Sequence, residues 1–137
     1  MAAQAGYSAR PLAAKLGIVE GTCVLAVDAP ADYAAWLSPL PPGACVIARP
    51  RAGLRFVHLF AIERPKLAHA LTDYRARLPS DAVLWVSWPK KASKLPTDIT
   101  EDVIREIALP LGWVDVKVCA VSEVWSGLKL VVRKSLR

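Results

Sequence analysis

The chain has 137 residues, of which 18 are basic and 12 acidic, for a formal net charge of +6. That length holds one domain, residues 1–137, and excludes a second full core; a chain of this size buries roughly two-thirds of its unfolded surface without staples. No apolar run approaches the roughly 20 residues of a membrane-spanning helix, and no basic stretch followed by an apolar one marks export, so a cytoplasmic protein with no membrane partner is expected.

Residues 1–20 read as a lead-in. Residues 1–8 are small and frayed in expectation, and Pro11 ahead of Leu12-Ala13-Ala14-Lys15-Leu16 predicts a short helix that Gly17 ends. A first strand follows at 22–27, stopped by Asp28-Ala29-Pro30. Asp32 is placed to cap a short helix through Tyr33, Trp36 and Leu37, whose spacing gathers the apolar groups on one face. Pro39, Pro41, Pro42 and Gly43 end that helix. A second strand at 44–48 leads through Arg49-Pro50-Arg51-Ala52-Gly53 into a third at 54–62, LRFVHLFAI. Its nearly continuous apolar character suits an interior parallel strand covered on both faces.

Pro65 opens a helix over 66–78 with Leu67, Leu71, Tyr74 and Leu78 as its stripe, and Pro79-Ser80-Asp81 turns into a fourth strand at 82–88. After a basic loop at 90–96, a helix runs from about Thr97 to Leu109. Asp98 or Thr97 is its expected cap, with Glu101 and Asp102 favourable in the first turn. Two last strands, 114–121 and 128–133, are joined by Ser122-Glu123-Val124-Trp125-Ser126-Gly127, too short for anything but an antiparallel pair. The pattern predicts an α/β fold: a three-layer Rossmann-like sheet, mostly parallel in its first four strands and ending in an antiparallel hairpin.

From Leu54 onward the order of elements resembles the second half of a class I methyltransferase fold, over about 80 residues. The resemblance implies that 128–133 inserts beside 82–88, leaving 114–121 at the sheet edge. The strings YSARPLAAKLGI, LWVSWPKKAS, TDITEDVIRE, VDVKVCAV and VWSGLKLVVRK are similar to a bacterial domain family of unknown function, which implies no particular activity. Methyltransferases of this class hold their cofactor with a glycine-rich turn after the first strand. Here that turn reads Val27-Asp28-Ala29-Pro30-Ala31-Asp32, with no glycine and with a proline that lacks an amide donor. The acidic residue that holds the ribose has no counterpart either, since the second strand runs out at Arg49. No cofactor is therefore expected.

The sharpest candidate site is Trp88-Pro89-Lys90-Lys91-Ala92-Ser93-Lys94, just past the carboxyl end of an inner strand, where open α/β sheets bind ligands. Lys90, Lys91 and Lys94 supply point charges for an anion and Ser93 a hydroxyl donor. The competing reading is a solvated lysine loop. Arg49 and Arg51 are expected at the same edge, extending a basic rim. Trp125 in the hairpin connection is read as either a contact anchor or a lid on the core. Trp85 and Trp88, three apart, should face opposite sides of their strand, one in the core and the other within reach of the site's mouth.

Catalytic chemistry has little to stand on. His58 lies inside LRFVHLFAI and reads as a hydrogen-bonded core histidine, and His69 as exposed. Nucleophile elbows, phosphate loops and HExxH pairs are absent. Cys23, Cys45 and Cys119 form no CxxC pair and read as small buried core residues, so no metal is expected. The charge surplus fits an anionic small molecule, a protein partner or nucleic acid, although no recognised nucleic-acid module is present. With 54% hydrophobic residues and a mean hydropathy of +0.31, self-association is a further expectation. The expected function is thus a noncatalytic α/β module binding an anionic ligand or protein partner at the basic strand-end edge. The alternative is a divergent methyltransferase-like transferase with a non-standard cofactor site.

Overall fold

A computed structural model describes residues 10–137. The frayed stretch expected at 1–8 lies outside the described residues. The elements in chain order are α1 (Leu12–Leu16), β1 (Cys23–Val27), α2 (Tyr33–Leu37), β2 (Cys45–Ile47), β3 (Phe56–Phe60), α3 (Arg64–Arg77), β4 (Val83–Pro89), α4 (Glu101–Leu111), β5 (Trp113–Ala120) and β6 (Trp125–Val132). All six strands form one sheet in the order β2-β1-β3-β4-β6-β5. The first four are parallel, and β6 runs antiparallel between β4 and β5. This is the mostly parallel, hairpin-ended Rossmann-like sheet that the element pattern predicts, with the last strand inserted as the methyltransferase resemblance implies.

Alternation along the strands sorts the core into two layers. Val57 and Leu59 of β3, Leu84, Val86 and Trp88 of β4, and Leu128, Leu130 and Val132 of β6 meet Leu67 and Leu71 of α3 and Ile104 and Ala108 of α4. On the other face, Val24, Phe56, Phe60 and Trp85 meet Leu12 and Leu16 of α1 and Tyr33 and Leu37 of α2. Trp85 and Trp88 do face opposite sides. Both are buried, so Trp88, at 8% exposure, is a core residue rather than part of a site's mouth. The indole of Trp85 donates to the Leu16 carbonyl at 2.9 Å, fixing α1 to the sheet.

Helix ends follow local chemistry. Gly17 and Gly112 close α1 and α4 in the left-handed conformation, where a side chain is disfavoured. Thr100 caps α4, its hydroxyl accepting from the Val103 amide at 3.1 Å. Neither Thr97 nor Asp98 caps that helix, because both are tied to the preceding segment. The Thr97 hydroxyl donates to the Ile62 carbonyl at 2.7 Å, and the Asp98 carboxylate accepts from the Arg64 amide at 2.7 Å, covering the first turn of α3. Asp32 stands at the start of α2 without making a side-chain cap. The hairpin connection is shorter than expected, since β6 already begins at Trp125.

Two cysteines depart from the core reading. Cys23 and Cys45 face each other across β1 and β2, half-buried and disulfide-bonded, with Cα atoms 4.7 Å apart. Parallel register at the sheet's edge brings together two residues 22 apart in sequence, which spacing alone does not reveal. Cys119 is a free thiol, half-buried, and burial raises its pKa.

Candidate functional site

Strand order places the topological switch point between β1 and β3. The chain leaves β1 toward β2 on one side and leaves β3 toward β4 on the other. Ligands of open α/β sheets bind in the crevice that such divergent loops leave at the carboxyl ends. Here an ion pair crosses that crevice: Lys66, in the first turn of α3, meets the Asp28 carboxylate at 2.7 Å. That hydrogen bond and charge, with a smaller contribution from Glu63, hold the Lys66 ammonium above its ordinary pKa. Asp28 takes φ +57°, a left-handed bend that favours glycine, so the backbone turns as a glycine-bearing loop would while carrying a carboxylate.

An adenosyl cofactor does not fit these residues. The bend presents Asp28 where an open amide is required, and Pro30 has no N–H to offer. The residues after β2 are Ala48 and Arg49, so a ribose finds no carboxylate there.

The basic loop leaves β4 as a 3-10 turn, Lys91–Ser93, closed by Lys94 in the left-handed conformation at φ +62°. Ser93 is committed to this turn: its hydroxyl donates to the Lys90 carbonyl at 2.7 Å and accepts from the Leu95 amide at 3.2 Å. The expected role of Ser93 as a donor to a ligand is corrected accordingly. The Lys90 amide donates to the Val124 carbonyl at 2.7 Å, binding the loop to the hairpin. Lys91 and Lys94 are exposed, Lys90 is half-buried, and none of the three has a carboxylate within salt-bridge distance among the described residues.

The single basic rim expected from the sequence is split. Arg51 donates from Nη2 to the sulfur of Cys23, at the first residue of β1, so it lies at the amino end of the strands. Lys90 lies past the carboxyl end of β4, about one strand length away. Arg49 is exposed in the turn after β2. The cause is the length of β2. Three residues carry the chain only partway up the sheet before Pro50 and Gly53 return it to the start of β3. Trp125 is a strand residue, paired with Pro89 and edge-on to Phe60 at 5.1 Å between ring centroids, so it serves as a half-buried lid on the α1–α2 core layer.

Beneath the crevice lies a buried polar chain. The hydroxyl of Tyr33 is 2.7 Å from His58 Nδ1, and His58 Nε2 is 2.7 Å from the Ser87 hydroxyl. His58 and Ser87 are fully buried, and Tyr33 nearly so. Burial pushes the imidazole down to about 3 and the Tyr33 phenol well above its usual range, so both are neutral near pH 7. A neutral imidazole offers one donor and one acceptor, which Tyr33 and Ser87 satisfy in a single direction. His58 is therefore the hydrogen-bonded core histidine expected from sequence. Its partners, 25 and 29 residues away, left no local signal.

Among the described residues, no group of three or more His, Cys, Asp or Glu could hold a metal ion, and no helix is long and apolar enough to cross a membrane.

Comparison with known proteins bears on the fold. No family model matches the chain, and no curated protein does, so the likeness to a bacterial domain family stays an expectation. Solved structures do match. A suspected type 11 methyltransferase from Sulfolobus solfataricus aligns with 84% of this chain and 85% of its own, at 12% identity and a TM-score of 0.56. The fibrillarin pre-rRNA processing protein of Methanococcus jannaschii aligns with 92% of this chain and 70% of its own, at 7% identity and a TM-score of 0.56. LepI in complex with SAM matches 89% of this chain at 14% identity and a TM-score of 0.54, and this chain spans 39% of the LepI length. The architecture is a Rossmann-like sheet of the methyltransferase kind.

Proposed function

We propose that the chain is a noncatalytic α/β module that binds an anionic ligand or an acidic protein face through Lys90, Lys91 and Lys94. The observation that carries this reading is three lysines without carboxylate partners among the described residues, on a turn fixed by Ser93 at the carboxyl ends of the strands. Buried Trp88 and Pro89 give the turn a rigid base, and a positioned cluster of ammonium groups attracts a polyanion more strongly than scattered ones. Arg51 takes no part in this surface, and Arg49 at most lengthens it along the β2 side.

The test uses heparin as a defined polyanion. Replacing Lys90, Lys91 and Lys94 together with alanine should lower the salt concentration that elutes the protein well below that of a charge-matched variant lacking Lys129, Arg133 and Lys134. Equal shifts in the two variants would reject the reading.

A second reading, a divergent methyltransferase-like transferase, is supported by the insertion of β6 between β4 and β5 and by the methyltransferase-like neighbours. Calorimetric titration with S-adenosylmethionine and its demethylated product separates the two. Heat of binding favours the transferase, and its absence favours the noncatalytic module.

A further inference from the structure

A cleft of about 470 Å³ opens at the amino end of the parallel strands, opposite the lysine turn. It lies between the turn that follows β2 and the last turns of α3. Its lining carries three guanidiniums, Arg51, Arg55 and Arg77, against one carboxylate, Asp73, with the Tyr74 ring and Leu78 among its apolar walls. We infer that this cleft binds a nucleoside phosphate, free or at the end of a nucleic acid strand.

Volume, charge and shape point the same way. The space falls within the range of small-molecule sites. Among the described residues Arg51 is compensated only by sulfur: its Nη2 donates to Cys23 Sγ and lies 3.7 Å from Cys45 Sγ, and sulfur is a weak acceptor. Arg77 pairs with Asp73 at 2.9 Å one helical turn away, and Arg55 pairs with Asp81 at 3.3 Å. All four of these side chains are at least 40% exposed. Exposed pairs of this kind contribute little, so a phosphate that engages a guanidinium fork displaces them at small cost.

The rest of the lining suits a base. Tyr74 is half-buried with its ring against the core, and its hydroxyl has no hydrogen-bond partner among the described residues. Gly53, at φ +80°, has no atom within 4 Å of where a side chain would begin, so the turn leaves its backbone open to close approach. An aromatic face with arginines around it is the usual platform for a nucleobase next to its phosphate.

The whole chain is titrated at low and high salt with three probes: adenosine 5′-monophosphate, inorganic phosphate, and a short 5′-phosphorylated oligonucleotide. The inference requires salt-sensitive binding of the nucleotide or the oligonucleotide, tighter than that of phosphate. It also requires about a tenfold or greater loss in both Arg51→Ala and Arg77→Ala, the loss of one charge-assisted contact. Binding of the oligonucleotide alone identifies a strand end as the source. Retained binding in the triple variant lacking Lys90, Lys91 and Lys94 separates this cleft from the lysine turn. Unchanged thermal unfolding of the arginine variants shows that the loss is local. No binding of any probe, phosphate as tight as the nucleotide, or wild-type affinity in both arginine variants would overturn it.

Discussion

At the carboxyl ends of the parallel strands Asp28, Lys66, Asp98 and His58 are committed to internal ties, whereas at the amino ends Arg51, Arg55 and Arg77 are exposed. Above β1 and β3, Asp28 holds Lys66, Asp98 covers the first turn of α3, and the Tyr33–His58–Ser87 chain lies underneath. The lysine turn stands outside these ties. Below the sheet, Arg51 rests on sulfur, while Arg55 and Arg77 keep exposed, easily displaced partners. Shared topology thus does not decide which end of a sheet is open. The side chains placed at the strand ends decide it.

Three perturbations test how firmly the upper end is closed. The largest effect is expected from His58→Ala, which leaves the Tyr33 and Ser87 hydroxyls buried without partners and opens a void between α2 and the sheet. A loss of about 3 kcal/mol or more in denaturant unfolding is expected, with Arg51 and its cleft unaffected. A loss below about 1 kcal/mol would mean that the buried chain does not support that end.

Acid gives the next effect. The His58 pKa is depressed in the folded state, to about 3, so the unfolded chain binds the additional proton. Its stabilising contribution is complete above about pH 6.5 and is lost as pH falls from there toward 3, at up to about 1.4 kcal/mol per pH unit. A pH series of unfolding curves should show this slope, and His58→Gln should flatten it. An equally steep acid limb in that variant would assign the effect to other groups.

The smallest change belongs to Asp28→Asn. It removes an exposed ion pair and leaves the left-handed bend with a residue that tolerates it, so stability should move by less than about 1 kcal/mol. The same variant releases Lys66 into the crevice. If S-adenosylmethionine then produces heat where the wild type gives none, the ion pair alone kept the upper end shut. If it does not, Pro30 and the missing glycines are sufficient.

Much of this arrangement was legible in the residues. Continuous apolar runs at β3 and β4, proline and glycine punctuation, and a short last connection are local signals, and they gave the parallel strands and the closing hairpin; the inserted strand followed from the resemblance to the methyltransferase fold. The failures share one cause. Asp98 reads as a helix cap by sequence position, yet its partner is the Arg64 amide, 34 residues away. Arg51 was expected beside Lys90 because two loops after strands were assumed to exit at one level. The three-residue β2 broke that assumption. The cysteine pair, the relay around His58 and the Asp28–Lys66 bridge each join residues more than 20 apart, which no local pattern encodes.

The position of β6 governs how the molecule is assembled. Its neighbours β4 and β5 both precede it in the chain, and they cannot join edge to edge without it. The α3–α4 layer of the core also lacks Leu128, Leu130 and Val132 until it arrives. A growing polypeptide therefore carries a four-stranded sheet and an unpaired β5 until β6 emerges, and closure awaits a contact bridging nearly fifty positions between Val83 and Val131. The lysine turn, held by the Lys90 amide on the Val124 carbonyl, gains that tie only as the last hairpin closes.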